Sequence, residues 1–551
     1  MIQQLLESAL QHAQAGRPQE AERLYRQVLA LEPRHAQAWH NLGVALAHQG
    51  RVQEAMASFQ QTLALEPNFP EALFNLGNAY KDSERMDDAM AAYRQALAIR
   101  PSYGTARLNL AATLLDIGQL DQAIGILRRL VQDEGNFVMA HSGLLYALHF
   151  HPDSDAQSLL GEHRQWSDRH ARPLRGQIRP HDNDPSPQRR LRIGYVSPHF
   201  GFYPVGRFLL PLLRQHDPTQ VETFCYADVA HADEMTGKLR DCAHVWRDIH
   251  GLGDAELADL VRQDRIDILL DLSLHTGGNR LLSFARKPAP VQTTYLAYCS
   301  TSGLDTMDYR LTDPYLDPPG SDQSVYAERS IRLPRTYWCY QPSITAIEVR
   351  EPPALKTGCV VFGCFSSDYC KISAEAWSVW RRLLQAVPHS RLVVHACSGR
   401  HRDAARQYLA DAGVAPHRLD FVGRVPFDQY LQRYREIDVA LDPFPYGGGT
   451  TTCDAMWMGV PVVTLAGRTG VGRGGVSILS NVGVPELIAN SVEQYVEIAR
   501  SLAGDLPRLA QLRATLRGRM RQSALMDAAG FARDVEAAYR QMWQNWCKAQ
   551  P

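Results

Sequence analysis

The stretch Val439–Leu465, VALDPFPYGGGTTTCDAMWMGVPVVTL, decides the architecture of most of the chain. It opens with an apolar run, Val439–Asp442, that suits a buried strand. Pro443-Phe444-Pro445-Tyr446 stops the strand, and Gly447-Gly448-Gly449 lets the backbone approach a ligand closely. Three hydroxyls, Thr450-Thr451-Thr452, lead into a helix expected from Cys453 to Met458. Pro461–Leu465 is a second strand. Strand, glycine loop, hydroxyls and helix start form the arrangement that holds a phosphate, because free N–H groups at a helix N-terminus point at the anion. Asp454 sits in the first turn, where its charge suits the helix dipole or takes a pair of sugar hydroxyls. The pattern is neither Walker A nor G-x-G-x-x-G. An ordinary glycine-rich turn is the competing reading.

Working outward, short apolar runs alternate with helical stretches. Val360–Phe365, Arg391–Ala396 and Leu419–Val422 read as strands. Ala374–Ala386, Arg402–Asp411 and Phe427–Arg435 read as helices. An earlier half repeats the logic. Its strands are Leu191–Ser197, Val221–Tyr226 and Ile266–Leu272, and its helices Pro204–Gln215 and Asp254–Asp264. This is βαβ patterning and predicts two parallel-sheet halves, 191–345 and 346–551, dividing near the polar stretch Gln341–Gly358. Ligands of such folds bind at the carboxyl ends of the strands. Lys371 follows the strand Val360–Phe365 and faces the same cleft as the glycine loop, although a loop lysine is more often simply solvated. Upstream, 138–190 is polar and proline-bearing, with a helix around Leu159–His170 and a linker over Gln177–Arg190.

The N-terminal part is periodic. Pro33, Pro67 and Pro101 are 34 residues apart, as are Ala21, Ala55, Ala89 and Ala123, and Tyr25, Phe59, Tyr93 and Leu127. Small alanines let paired helices approach, the aromatic fills the groove to the next unit, and proline ends the second helix. Four such units over 2–137 resemble the tetratricopeptide repeat, a solenoid that commonly docks protein. Asn41, Asn75 and Asn109 keep the same step. They read either as a polar helix face or as groups that grip an acceptor backbone.

Composition narrows the classes. The chain has 551 residues, 45% hydrophobic and 21% charged, so it is globular and long enough for several domains. Lys+Arg 58 against Asp+Glu 59 gives no basic excess of the kind that accompanies nucleic acid or anionic membrane. No apolar run approaches a membrane span, and the N-terminus is not a signal peptide. The ten cysteines show no zinc spacing and read as buried thiols of a reducing cytoplasm. No carboxylate set for a cleft metal is visible.

With these motifs in place, the run Leu441–Leu465 resembles the signature of family 41 glycosyltransferases, the O-GlcNAc transferase and SPINDLY proteins. Arg192–Phe200, Ala285–Gln292 and Ser302–Tyr309 support it, and the repeats in front complete that family's architecture. The resemblance implies an α-helical TPR solenoid followed by a GT-B fold of two facing Rossmann-like domains. It implies an inverting, metal-independent transferase without cofactor, moving a sugar from a nucleotide donor to protein Ser or Thr. UDP-GlcNAc is the first donor to consider. Fucose from GDP-fucose, or a silent docking protein that retains the cleft, are the alternatives. Protein acceptors and the nucleotide-sugar are the expected partners, and a homo-oligomer is left open. Carried over, Lys371 stabilises the departing diphosphate, Gly449, Thr450 and Thr451 hold phosphates beside Thr452, and Asp454 takes the ribose. Arg424-Val425-Pro426 reads the base edge and Tyr430 stacks on the base. Departures cluster at the site. Tyr203 stands where the family has histidine, leaving His199 or His275 as the local imidazole, with His275 favoured for the acceptor side. Leu274 replaces glycine before His275, Gly447 replaces asparagine, Ala297-Tyr298-Cys299 stands for G-Y-P, and the Lys371 loop is one residue longer.

Overall fold

The computed structural model describes residues 1–550, which form two compact units. The first comprises 1–140 with the short segments 368–370 and 396–408. Its helices come in four antiparallel pairs: Ile2–Gln14 with Pro18–Leu31, Ala36–His48 with Val52–Leu65, Pro70–Asp82 with Met86–Ile99, and Gly104–Asp116 with Leu120–Asp133. Pro33, Pro67 and Pro101 each stand two residues beyond a helix end, as the missing N–H requires. The repeating alanines and the series Tyr25, Phe59, Tyr93, Leu127 are all buried. Gly43 and Gly77 show why the period is strict. A Cβ on either would stand 2.5 Å from the ring of Phe59 or Tyr93, so only glycine lets the aromatic close the groove.

The second unit carries two parallel sheets. In the first, β1 (Leu191–Ser197), β2 (Val221–Ala227), β3 (Val245–Asp248), β4 (Ile268–Asp271), β5 (Val291–Thr294), β6 (Tyr309–Thr312) and β7 (Arg329–Arg332) lie in the order 3-2-1-4-5-6-7. In the second, β8 (Val360–Cys364), β9 (Ser390–His395), β10 (Leu419–Val422), β11 (Val439–Leu441), β12 (Val462–Leu465) and β13 (Ile488–Ala489) lie in the order 10-9-8-11-12-13. Both are the doubly wound, Rossmann-like order, whose direction reverses beside the first strand. The reversal lies between β1 and β4 in one sheet and between β8 and β11 in the other.

Several expectations are corrected. The strands β3, β5, β6, β7 and β13 are too short or too polar to stand out by pattern. The helix after the glycine loop spans Thr450–Trp457 and so starts three residues earlier than expected, with Gly449 at its N-cap. The three threonines are therefore its first turn, not a loop. The segment 138–190 is more than a linker. From His141 it belongs to the second unit, where helices Val138–Leu148 and Ala156–Trp166 and the turn between them bury Leu145, His149, His163 and Trp166. The last helix, Ala528–Lys548, returns from the second half to the first. Glu536 accepts from His216 at 2.8 Å, Tyr539 meets Tyr195 at 3.1 Å, and Trp543 donates to the Ser186 carbonyl at 3.1 Å. None of the ten cysteines is in a disulfide. Cys225, Cys339, Cys364, Cys370 and Cys453 are buried and the other five are half-buried, so the uniform burial expected of them does not hold. No described helix is long and apolar enough to cross a membrane.

Candidate active site

The switch point of the second sheet brings together the two segments that sequence singled out. Lys371 closes the short turn that follows β8, and the glycine loop follows β11. The Lys371 ammonium lies 4.5 Å from the centroid of Tyr446, which itself stacks on Phe150 at 5.1 Å. The loop is shaped by a residue that sequence reading passed over. Asp442, buried at the end of β11, accepts from the Gly448 N–H at 2.7 Å, from Thr464 at 2.7 Å and from Thr452 at 3.5 Å. A Cβ on Gly448 would stand 2.5 Å from Thr452 Oγ1 and 2.7 Å from Asp442 Oδ1, so this turn admits only glycine. Burial pushes the Asp442 carboxyl up to about 6, against the hydrogen bonds and the nearby Lys371 charge. Asp442 thus ties the loop to the sheet. Gly449, Thr450 and Thr451 are half-buried at the helix start, whereas Thr452 faces inward to Asp442.

Asp454, one turn into the helix, is not an open carboxylate. Arg207 of helix Pro204–Gln215 in the first half grips it through Nη2 at 2.6 Å and Nη1 at 3.0 Å. Tyr340 donates to it at 2.7 Å and Tyr430 at 3.4 Å. All four acceptor positions of the carboxylate are met by protein donors. Arg207 was not legible as a site residue, because its partner is 247 positions away. Tyr430 is half-buried, with its ring 5.6 Å from Phe427 in a stacked pair and its hydroxyl on Tyr434 at 2.8 Å. Arg424, Val425 and Pro426 form the partly exposed loop from β10 into the helix Phe427–Arg433.

In the first half, His199 and Tyr203 follow β1. His199 is half-buried, its Nε2 is 3.3 Å from the Thr276 hydroxyl, and burial holds its pKa below the usual value. Tyr203, at the N-cap of the helix carrying Arg207, is 57% exposed, and its ring lies 5.4 Å from that of His199. His275 follows β4, but the side chain turns inward and is buried. Its Nε2 meets the Ser302 carbonyl at 2.9 Å, its Nδ1 lies 3.4 Å from Ser142, and His163 and Trp166 meet its ring edge-on at 4.9 and 4.8 Å. For His275, favoured on the acceptor side, both ring nitrogens are engaged within the protein, and burial holds its pKa well below the usual value. Leu274, where the resemblance implies glycine, keeps a glycine-like backbone at φ +45°.

Asn41, Asn75 and Asn109 are half-buried in the first unit and engaged with neighbours. Gln37 donates to Asn41 at 2.9 Å, Asn75 meets His40 at 2.9 Å and Asn109 donates to Asn78 at 2.8 Å. No group of three or more His, Cys, Asp or Glu among the described residues is placed to hold a metal ion.

Residues 138–343 and 340–535 match the model described as Glycosyl transferase family 41. The chain belongs to that family. Tetratricopeptide repeat models match 6–72, 53–104 and 82–142. The probable UDP-N-acetylglucosamine–peptide N-acetylglucosaminyltransferase SPINDLY of Solanum lycopersicum is 39% identical over 411 residues, 73% of this chain and 44% of its own length. The UDP-N-acetylglucosamine–peptide N-acetylglucosaminyltransferase of Caenorhabditis elegans is 25% identical over 478 residues, 66% of this chain and 41% of its own. The chain thus spans less than half the length of these relatives. Among solved structures, an O-GlcNAc transferase mutant from Thermobaculum terrenum is 36% identical with a TM-score of 0.76, and the match covers 99% of this chain and 98% of that one. The likeness makes the two-sheet unit a GT-B fold.

Proposed function

We propose that this family 41 member is a protein O-glycosyltransferase that moves a sugar from a nucleotide donor to Ser or Thr with inversion and without a metal. The observation that carries the reading is the switch point of the second sheet, where Lys371 and the N-terminus of helix Thr450–Trp457 emerge from adjacent strands. Two sources of positive potential there suit a diphosphate that gains charge as it leaves. In a single displacement the acceptor hydroxyl forms the new bond to the anomeric carbon as the bond to the diphosphate breaks, and the hydroxyl proton passes to a base. With His275 buried, His199 is the imidazole better disposed to take or relay it. UDP-GlcNAc is the favoured donor because the relatives are named for it. The repeat helices would hold the acceptor protein, and cytoplasmic residence accords with nucleotide-sugar chemistry.

The test is a panel of UDP- and GDP-sugars with a mixed protein acceptor, following nucleotide release and the mass of modified proteins, with and without EDTA. Release from UDP-GlcNAc, a matching mass gain and indifference to EDTA are expected. Turnover of GDP-fucose alone would replace the donor. Turnover of none of the panel would leave a docking protein.

A further inference from the structure

We propose that Arg207 is a nucleotide-binding residue, reaching the nucleoside of the donor from the first α/β half. The inference rests on the proposed function and adds to it a residue on the opposite half. Arg207 is 7% exposed. Its place is fixed by the chain before it, since a Cβ on Gly206 would stand 2.2 Å from the Gly201 carbonyl oxygen. Two of its N–H groups are spent on Asp454, but Nε is buried and has no acceptor. A buried donor without a partner is costly, so an acceptor brought by a ligand gains most there.

The surroundings specify the ligand. The guanidinium carbon lies 4.8 Å from the ring centroid of Phe427, 5.7 Å from Phe202 and 6.0 Å from Tyr340. Phe202 meets Phe427 edge-on at 4.8 Å, and Phe427 stacks with Tyr430. Phe202 is 40% exposed, so the group opens to solvent. Aromatic faces around a guanidinium suit a flat ring with acceptors on its edge. The helix that carries Asp454 begins at the glycine loop, so phosphates at its N-terminus put the attached nucleoside within one turn of this group. Asp454 is already fully engaged, and a ligand hydroxyl could join it only by replacing the longest of its bonds, that from Tyr430. Arg207 is the partner with N–H capacity to spare.

Binding of UDP, UMP, GDP and GMP is measured by calorimetry on the full chain, as wild type and as Arg207→Met and Arg207→Lys, with melting curves for each. Arg207→Met should weaken the preferred nucleotide by about tenfold or more, the scale of a hydrogen bond to a charged group. The factor should be the same for its di- and monophosphate, because the contact is to the nucleoside. Arg207→Lys should fall between; if Arg207→Met does not fold, a loss in Arg207→Lys common to both phosphate forms decides. Affinities within about twofold of wild type in the folded variants, or a loss seen with the diphosphate alone, would overturn the proposal while leaving the proposed function standing. Failure of the wild type to bind any of the four would remove both.

Discussion

Arg207 and Asp454 form a buried bidentate ion pair that joins the two α/β halves, with N–O distances of 2.6 and 3.0 Å. Neither side chain is more than 7% exposed. Charges this deep need a partner and further hydrogen bonds, and here Tyr340 and Tyr430 share the carboxylate with Arg207. Removing one partner strands the other. Asp454→Leu and Arg207→Met should each cost about 3–5 kcal/mol in denaturant unfolding, and the double variant much less than their sum. Additive losses would show that the pair is not coupled.

Lys371→Ala should preserve the fold and lower turnover by about 10²–10³, the effect of removing one preorganised charge from a developing anion. Its place beside β8, across from the glycine loop, motivates the prediction. The measurement is kcat at saturating donor, with a melting curve as control; near-normal kcat would remove the role.

Acid should destabilise the second unit well above the carboxylate range. Burial holds His141, His163 and His170 down to about 4, and His149 and His275 also well below their ordinary value. An unfolded chain takes up protons at these positions below about pH 6.5 and the folded one does not, so stability falls as pH drops, by about 1.4 kcal/mol per unit for each histidine. Asp271, pushed up to about 7, and Asp442, up to about 6, act in the opposite sense. Burial also raises Asp313 and Asp438, and it holds His181 down to about 4 and His199 and His244 below their ordinary value, so eight histidines stand against four aspartates and leave a net loss between about pH 6.5 and 4. Urea midpoints at pH 7 and pH 5 check it, and equal midpoints would contradict it.

Leu274→Gly should destabilise, although it restores the glycine that the resemblance implies. Leucine in the left-handed region costs about 1–2 kcal/mol. Against that, Leu274 is buried against Tyr298 and Val471, and losing a core leucine costs about 2–5 kcal/mol. Packing wins, and a higher melting temperature for the glycine variant would reverse the ranking.

Tyr203→His should raise kcat/KM or leave it unchanged. Tyr203 is exposed at a helix N-cap, 5.4 Å from His199, so an imidazole fits there without repacking and titrates near neutrality. General-base help is worth about 10²–10⁴ where the base is correctly placed. A large loss in Tyr203→His, together with impairment of Tyr203→Phe, would mean that the phenol itself contributes.

Much of this molecule is local and therefore legible in one dimension. The 34-residue step of alanine, aromatic and proline follows from helices that bury one small-residue face against a neighbour, and each contact recurs at a fixed offset. The glycine loop is equally local, since Gly448 is dictated by Asp442 and Thr452 a few residues away. Alternating apolar runs identify the long central strands because those are covered on both faces. The short strands β3, β6 and β7 carry arginine or aspartate and are held by their neighbours' hydrogen bonds, which no pattern within four residues can announce. The site divides in the same way. Lys371 and Thr450 are recognisable from the strands and turns that deliver them. The tertiary structure alone decided that His275 turns into a cluster of rings from helices more than a hundred residues earlier, and that Asp454 is already met by Arg207, Tyr340 and Tyr430. Burial and pairing of charge are properties of what surrounds a side chain in space. Those neighbours come from distant segments, so sequence names the group and only the fold sets its partners.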